Sequence, residues 1–243
     1  MRERQTSLPQ VHSLADVAWL EIREQIITGQ LPPGAPVGLK EQAERLGISI
    51  MPIRDAVKRL QHEGLVDQIP QREAFVSTLS LESMEDIYGV RAALEPLAIE
   101  RACAHFTRAH YDDFTRILDE FVVAYESGDA RQGRELHRRF HLGLYALAGS
   151  PSLDRLIPPL IDATERYRAL SQALRGSTKQ RRAEHQTMLE ACLERDAALA
   201  RTLLSDHLAR TVQDVRQALS AFSGQPAGQP SGLPPRLDAQ GGA

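Results

Sequence analysis

The chain has 243 residues, of which 42% are hydrophobic and 25% are charged. That length suits two compact domains, and that balance excludes a largely disordered chain. Lys plus Arg is 29 against 32 for Asp plus Glu, and the net charge of −3 argues against coating nucleic acid by bulk charge. Site-specific DNA binding remains open, because it needs only a local basic face.

The ends of the chain and its cysteines indicate a compartment. No apolar run approaches the roughly 18 residues that span a bilayer, and residues 1–13 lack the apolar core of a signal peptide. We therefore expect a cytoplasmic protein without a membrane partner. Cys103 and Cys192 have no C-x-x-C partner, which fits reduced thiols. Residues 1–13 predict a flexible arm, and residues 223–243, with five Gly and four Pro, predict a disordered tail.

Residues 14–79 predict a winged helix-turn-helix domain. Apolar residues at helical spacing mark three short helices, which end at Gly29, Gly47 and Gly64. Two short helices joined by a tight Gly-containing turn are typical of a helix-turn-helix. The segment 65–79 predicts two β-strands around a polar turn, which form a hairpin wing. The alternative is a small helical subdomain that binds nothing.

The same region carries a family pattern. LPPGAPVGLKEQAERLGISIMPIRDAVKRLQHEGLV matches it at Gly29, Leu31, Pro33, Gly34, Ala43, Leu46, Gly47, Ser49, Pro52, Arg54, Ala56, Leu60, Gly64 and Leu65. On these residues the segment resembles the DNA-binding half of GntR-type bacterial transcription regulators. The resemblance implies that the third helix enters the major groove of DNA and that the wing approaches the minor groove.

The resemblance also implies individual DNA contacts. Arg54 matches the arginine that contacts DNA in this family, Lys40 stands near the start of the second helix, and Arg72 lies on the wing. Ser49 precedes the third helix, and Lys58 lies one turn beyond Arg54 with a role at phosphate. Each of these residues could instead be an ordinary solvated surface residue.

Three residues depart from the family pattern. Ile50 and Met51 stand where relatives read Arg-Thr, and Glu73 stands where the wing tip usually carries Gly. Residues 14–80 hold seven Lys or Arg and nine Asp or Glu, a net charge of −2. We therefore expect modest, salt-sensitive DNA affinity and an operator that differs from those of close relatives. A degenerate DNA-reading head is the alternative.

Residues 80–222 predict an all-α domain. Gly, Asp and Ser breaks separate six amphipathic helices, at roughly 80–105, 107–127, 129–148, 151–175, 178–194 and 196–221. Six antiparallel neighbours pack as a bundle. The predicted fold class is mostly α, with an N-terminal winged helix-turn-helix followed by an all-α antiparallel helical bundle.

Four histidines are the informative feature of this second domain. His137 and His141 are four residues apart on one helix, so their side chains share a face. His185 and His207 lie in phase with apolar residues of the last two helices. Four inward imidazoles from three helices can converge on one cation. The alternative is that each histidine is a hydrogen-bonded core residue.

Further landmarks carry a second resemblance. They are Tyr88, Arg91, Leu94 and Glu95, Phe140 with His141, Glu184 with His185, Arg195 and Asp196 with Ala200, and His207 with Leu208. On these residues the region resembles the all-helical FCD effector domain of the FadR subgroup of GntR regulators. In that family an Asp and three His ligate a divalent metal, which maps to His141, His185 and His207, with His137 in the aspartate position. A nitrogen in place of an oxygen favours Zn²⁺ or Ni²⁺ over Mg²⁺ or Mn²⁺.

A bound metal suggests a ligand class. A small organic acid held by the metal and by Arg91 is the natural effector, because carboxylates bind metals and pair with guanidinium groups. Tyr88, nearly one turn earlier, could line the same pocket. The alternative for Arg91 is a helix-surface salt bridge to Glu95 at i+4.

Together these features predict a ligand-responsive transcription regulator, by resemblance a repressor. We expect it to bind a near-palindromic operator as a homodimer and to perform no chemistry. Two alternatives remain: a metal sensor in which the cation is the signal, and a metal-dependent hydrolase, although no Glu or Asp stands as an obvious general base.

Overall fold

A computed structural model describes residues 13–68, 73–171 and 177–223. Within them the chain forms nine α-helices and one two-stranded sheet, as the predicted fold class requires. The chain divides into two compact units between Thr78 and Leu79. The predicted arm, 1–13, and the predicted tail, 223–243, lie outside the described residues except for Ser13 and Ser223, and Ser223 ends the last helix. None of the helices described here has both the length and the apolar character needed to cross a membrane.

The first unit contains three helices and the wing. These are α1 (Leu14–Ile27), α2 (Leu39–Leu46), α3 (Ile50–His62), β1 (Val66–Gln68) and β2 (Ala74–Val76). Ser13, which the sequence placed in the arm, instead caps α1. Its side chain accepts a hydrogen bond from the Asp16 backbone N–H, and the Asp16 side chain accepts one from the Ser13 backbone N–H. Such a reciprocal capping box stabilises a helix start.

The turn between α2 and α3 gives the helix-turn-helix its shape. Gly47 ends α2 with φ +65°, a left-handed conformation that glycine adopts without a steric cost. Ser49 is the N-cap of α3 in extended backbone conformation, but its side chain makes no capping hydrogen bond. Pro52 lies in the first turn of α3, where its missing N–H costs no helical bond.

The wing is a hairpin extended by a third segment. β1 and β2 pair antiparallel with Val66 opposite Val76, and residues 69–72 between them lie outside the described part of the chain. The Val37 N–H donates to the Ala74 carbonyl at 2.7 Å, and the Val76 N–H donates to the Ala35 carbonyl at 2.9 Å. The segment around Pro36 therefore pairs with β2, which the sequence did not predict.

Helices α1 and α3 pack together over the core of the first unit. Ile22, Ile53 and Leu60 are fully buried there, and each such side chain contributes about 1.5–3 kcal/mol by leaving water. On the edge of this packing Trp19 Nε1 donates to Glu63 Oε1 at 2.9 Å. The Arg59 guanidinium lies 3.5 Å from the Trp19 ring centroid. The Arg59 side chain therefore packs on the Trp19 ring.

The second unit contains six helices. They are α4 (Leu81–Ala102), α5 (Arg108–Glu126), α6 (Ala130–Ala146), α7 (Pro151–Leu170), α8 (Thr178–Leu193) and α9 (Ala197–Ser223). The side chains of Ser80, Thr107, Asp129 and Ser177 accept hydrogen bonds at four of the helix starts, as N-caps do. Helix α7 ends at Leu170 rather than at 175, and residues 172–176 lie outside the described part.

The core of the second unit brings α6, α8 and α9 around one point. Helix α5 packs against α6 and α8, and α9 packs against α4 and α8. Phe140 of α6 and Leu189 of α8 are fully buried in the same cluster. Helix α6 approaches α5 at Gly133, where a Cβ atom would overlap the Tyr125 ring. The site residues thus project from closely packed helices.

Candidate metal centre and ligand cavity

The four predicted histidines meet inside the second unit. His137 and His141 come from α6, His185 from α8 and His207 from α9, and all four are buried. One nitrogen from each lies within 4.8 Å of the others. The i, i+4 spacing on α6 places the first two rings on one face, as expected.

Three ring nitrogens are spaced like ligands of a single ion. Nε2 of His141 is 3.1 Å from Nε2 of His137 and 3.1 Å from Nε2 of His185. Two imidazole nitrogens that each stand about 2.1 Å from one metal ion are roughly 3.0–3.4 Å apart. The His185 Nδ1 lies 2.6 Å from the Arg181 carbonyl, which can only accept, so Nδ1 carries the hydrogen and Nε2 offers a lone pair.

Burial keeps these imidazoles neutral. It lowers the pKa of His137 and His141 well below 6.5, and it lowers the pKa of His185 to about 3. Neutral imidazole is the form that binds metal. Within the described residues, Nδ1 of His137 is buried without a hydrogen-bond partner. A cation at the shared Nε2 point would satisfy the converging lone pairs, so the donor set fits a metal.

His207 differs from the other three by its acidic neighbour. Its Nδ1 is 3.6 Å from Oε2 of Glu184. Interaction with the nearby His207 ring lowers the pKa of Glu184 to about 2, so this carboxylate is ionised at neutral pH. A carboxylate on the ring nitrogen that faces away from a metal commonly fixes the orientation of a histidine ligand.

A cavity of about 240 Å³ opens beside the cluster, between α8 and α9. Ten residues line it: His137, Gln180, Arg181, Glu184, His185, His207, Arg210, Thr211, Gln213 and Asp214. The cavity therefore reaches three of the four histidines and offers both guanidinium and carboxylate groups. A small polar molecule in it would lie beside these three histidines.

Arg181 is the cavity residue that the sequence reasoning missed. Its guanidinium lies 5.3 Å from the Phe121 ring centroid and 4.8 Å from that of Tyr125. Its Nη2 donates to the Thr178 hydroxyl at 3.2 Å, while its buried Nε has no partner. No carboxylate forms an ion pair with it among the residues that the structure describes, and burial lowers the pKa of its guanidinium from its usual value. Its position one turn before His185 is the signal that could have identified it.

Arg91 and Tyr88 do not line this cavity. Arg91 is buried, its Nε lies 2.5 Å from Oε1 of Glu95, and its Nη1 donates to the Thr164 hydroxyl at 2.7 Å. Arg91 therefore pairs with Glu95, as the alternative interpretation of the sequence expected. The pair is buried, however, and does not lie on the helix surface. Tyr88 is also buried, with the Arg91 guanidinium 4.8 Å from its ring centroid.

The first unit presents its candidate DNA contacts on its surface. Lys40, Ser49 and Arg54 are exposed, and no described carboxylate forms an ion pair with Lys40 or Arg54. Lys58 is exposed but lies 3.4 Å from Asp55, so part of its charge is compensated. Arg72 lies outside the described residues.

Met51 belongs to the same exposed face of α3 as Arg54 and Lys58, at helical spacing. It is 60% exposed. From the sequence, Met51 is expected only to remove a polar contact that relatives make. The structure places a thioether on the surface where the family resemblance expects DNA.

Comparison with known proteins supports the predicted type of each of the two domains. The gntR family of bacterial regulatory proteins matches residues 14–76, and the FCD domain matches residues 86–210. The uncharacterized HTH-type transcriptional regulator BphR of Paraburkholderia xenovorans is 27% identical over 85% of this chain and 87% of its own length. The HTH-type transcriptional repressor GlaR of Escherichia coli is 26% identical over 86% and 98%. The solved structure of E. coli McbR/YncC has a TM-score of 0.71 at 24% identity, over 85% of this chain and 99% of that one, which supports the fold.

Proposed function

Because this chain belongs to the GntR family of bacterial regulatory proteins and carries an FCD domain, we propose that it is a ligand-responsive transcription repressor that binds a near-palindromic operator as a homodimer. Its family and its relatives are transcription regulators and not enzymes, so the hydrolase alternative has no support. The FadR-type assignment and the cytoplasmic location are parts of the same proposal.

The observation that carries the sensing role is the cavity beside four buried histidines. We assign His137, His141, His185 and His207 as the residues that hold a divalent metal. An all-nitrogen set favours Zn²⁺, with Ni²⁺ second. When bound, the ion supplies a Lewis-acidic positive charge at the inner end of the cavity.

The effector in this proposal is a small organic acid. Arg181 is half-buried, lines the cavity and forms no ion pair with a carboxylate among the described residues. Arg–carboxylate pairs are strong and directional when they are shielded from water. Arg181 therefore replaces Arg91 as the anchor of an acid, because Arg91 is already paired with Glu95.

The regulatory step is an equilibrium between two placements of the DNA-binding units. An effector changes operator affinity only by the amount that it prefers one placement over the other. Lys40, Ser49, Arg54, Lys58 and Arg72 are the residues that we assign to DNA. Arg54 is the best placed of the described ones, since it is exposed at the centre of the α3 face.

A thermal-shift screen of small organic acids tests the sensing proposal. Acids that prefer the native state raise the melting temperature, and we expect the rise in Zn²⁺-loaded protein and its loss in protein treated with a chelator. Arg181→Met should weaken the binding of an acid by about 10–150-fold, because a hydrogen bond to a charged group contributes about 1.5–3 kcal/mol. Arg182→Met is the matched control, since Arg182 pairs with Asp119 instead.

The same experiment separates the competing roles. An acid that stabilises the protein and changes operator affinity in fluorescence anisotropy supports the proposal. If Zn²⁺ alone changes operator affinity and no acid does, the cation is the signal. Unchanged acid binding in Arg181→Met would contradict the assigned anchor.

A further inference from the structure

The buried pair Arg91–Glu95 on α4 contacts more than its own helix. Besides accepting from Arg91, Glu95 accepts from the Tyr145 hydroxyl of α6, with Oε2 2.8 Å from Oη. The Tyr145 Oη is also 3.1 Å from Nδ1 of His141. At the other end Arg91 donates to Thr164 of α7. A continuous hydrogen-bonded chain therefore connects α7, α4 and α6 and ends on one histidine of the cluster.

The direction of each hydrogen bond in this chain follows from counting hydrogens. Glu95 contacts Arg91 through both carboxylate oxygens, at 2.5 and 3.3 Å, so it is a carboxylate and only accepts. Tyr145 has one hydroxyl hydrogen, which it donates to Glu95. The Tyr145 oxygen can then only accept from His141, so Nδ1 of His141 must carry the ring hydrogen.

This assignment decides which nitrogen of His141 faces the cluster. With the hydrogen on Nδ1, Nε2 has a free lone pair, and Nε2 is the atom that lies 3.1 Å from both His137 and His185. His185 reaches the same state through the Arg181 carbonyl. His141 has no backbone carbonyl on Nδ1 and depends on Tyr145.

We propose that Tyr145, Glu95 and Arg91 form a positioning relay that holds His141 in its Nδ1–H tautomer, with Nε2 turned to the metal. The relay gives Arg91 and Glu95 a role in metal affinity rather than in effector binding. It rests on the proposed metal centre, but the tautomer that it predicts exists before any metal binds.

The first test needs no variant. In metal-free, ¹⁵N-histidine-labelled full-length protein, long-range ¹H–¹⁵N correlation spectra report the tautomer of each ring, and the His141 signals are assigned from their loss in His141→Gln. We expect Nδ1 protonated and Nε2 unprotonated. An Nε2–H tautomer or a doubly protonated ring at pH 7.5 overturns the relay.

The second test measures the relay through the metal. Tyr145→Phe keeps the ring and removes the hydroxyl, and we expect the Zn²⁺ dissociation constant from chelator competition to rise about 10–100-fold, the usual effect of losing such an outer partner. The absorption bands of the Co²⁺-loaded protein should also change. Tyr167→Phe is the control, because Tyr167 is equally buried and its hydroxyl contacts Ser80 instead.

The outcomes separate the relay from the metal centre. If the two variants bind Zn²⁺ alike, or if Tyr145→Phe matches the wild type within about twofold, the relay is wrong. If the wild type itself takes up neither Zn²⁺ nor Ni²⁺, the metal centre is wrong, and the tautomer in the metal-free protein still decides the relay. If Tyr145→Phe does not fold, the His141 tautomer in the metal-free wild type still tests the relay.

Discussion

Acid should destabilise the metal-free protein, and the protonation of His185 gives the expected loss in the free energy of unfolding. Burial lowers the pKa of His185 to about 3 in the folded chain, whereas histidine in an unfolded chain titrates near 6.5. The unfolded chain therefore binds a proton that the folded chain does not. The stabilising effect of the neutral ring is complete above pH 6.5 and is lost progressively as the pH falls towards 3.

The expected magnitude depends mainly on the unfolded chain. At pH 5 a histidine with a pKa of about 6.5 gains about 2 kcal/mol from protonation, and any folded-state pKa clearly below 5 gives nearly the same value. His185 alone should therefore lower the free energy of unfolding by about 2 kcal/mol between pH 7 and pH 5. Burial shifts the pKa of His137 and of His141 in the same direction, so the whole cluster should add to this loss.

Urea unfolding followed by circular dichroism, with chelator and at fixed protein concentration, measures the effect at both pH values. His185→Gln should lose less stability on acidification than the wild type, by about 2 kcal/mol. His105→Gln, at an exposed position, should keep the wild-type pH dependence. If His185→Gln also shows the wild-type pH dependence, then the folded protein protonates this ring and burial does not hold its pKa as low as the structure indicates.

Four further substitutions test packing and DNA binding. Gly133→Ala should cost about 1–3 kcal/mol of unfolding free energy in urea, because its Cβ would overlap the Tyr125 ring. Gly89→Ala should instead stabilise by about 0.5–1 kcal/mol, since nothing lies within 4 Å of its Cβ. Arg54→Ala should weaken operator binding by about 1–3 kcal/mol in anisotropy and relax specificity, whereas Lys179→Ala in the helical unit should bind DNA as the wild type does. Equal losses in the last two variants would contradict the role given to α3.

The helices and the histidine cluster could be predicted from the sequence because both depend on local periodicity. Apolar spacing locates each helix, and glycine and capping residues mark most ends, as Gly47 does for α2. The inward phase of His185 and His207 follows from the same spacing. Three helices with inward histidines in one bundle leave few arrangements that keep them apart.

The partners of the buried arginines could not be predicted in this way. The i, i+4 spacing of Arg91 and Glu95 allows a salt bridge, but only the packing of α4 against α7 and α6 buries it and adds Thr164 and Tyr145. For Arg181 the sequence could not predict that an ion-pair partner is missing from the described residues. Arg181 lines the cavity without such a partner, although Glu184 lines the same cavity, and a sequence does not show which faces of α8 and α9 stay apart. The pairing of Pro36 with β2 is a long-range contact of the same kind.

The charges around the cavity explain why metal and effector should depend on each other. Arg181 and Arg210 on its lining are balanced by Glu184 and Asp214, and burial keeps His137 and His185 neutral, so the side chains alone give the cavity little excess positive charge. A divalent ion at the histidine cluster adds two positive charges without adding a carboxylate. The cavity then favours an acid, because opposite charges attract strongly at such short range. Since binding linkage is reciprocal, an acid that binds only the metal-loaded form must raise the apparent affinity for the metal by the same factor.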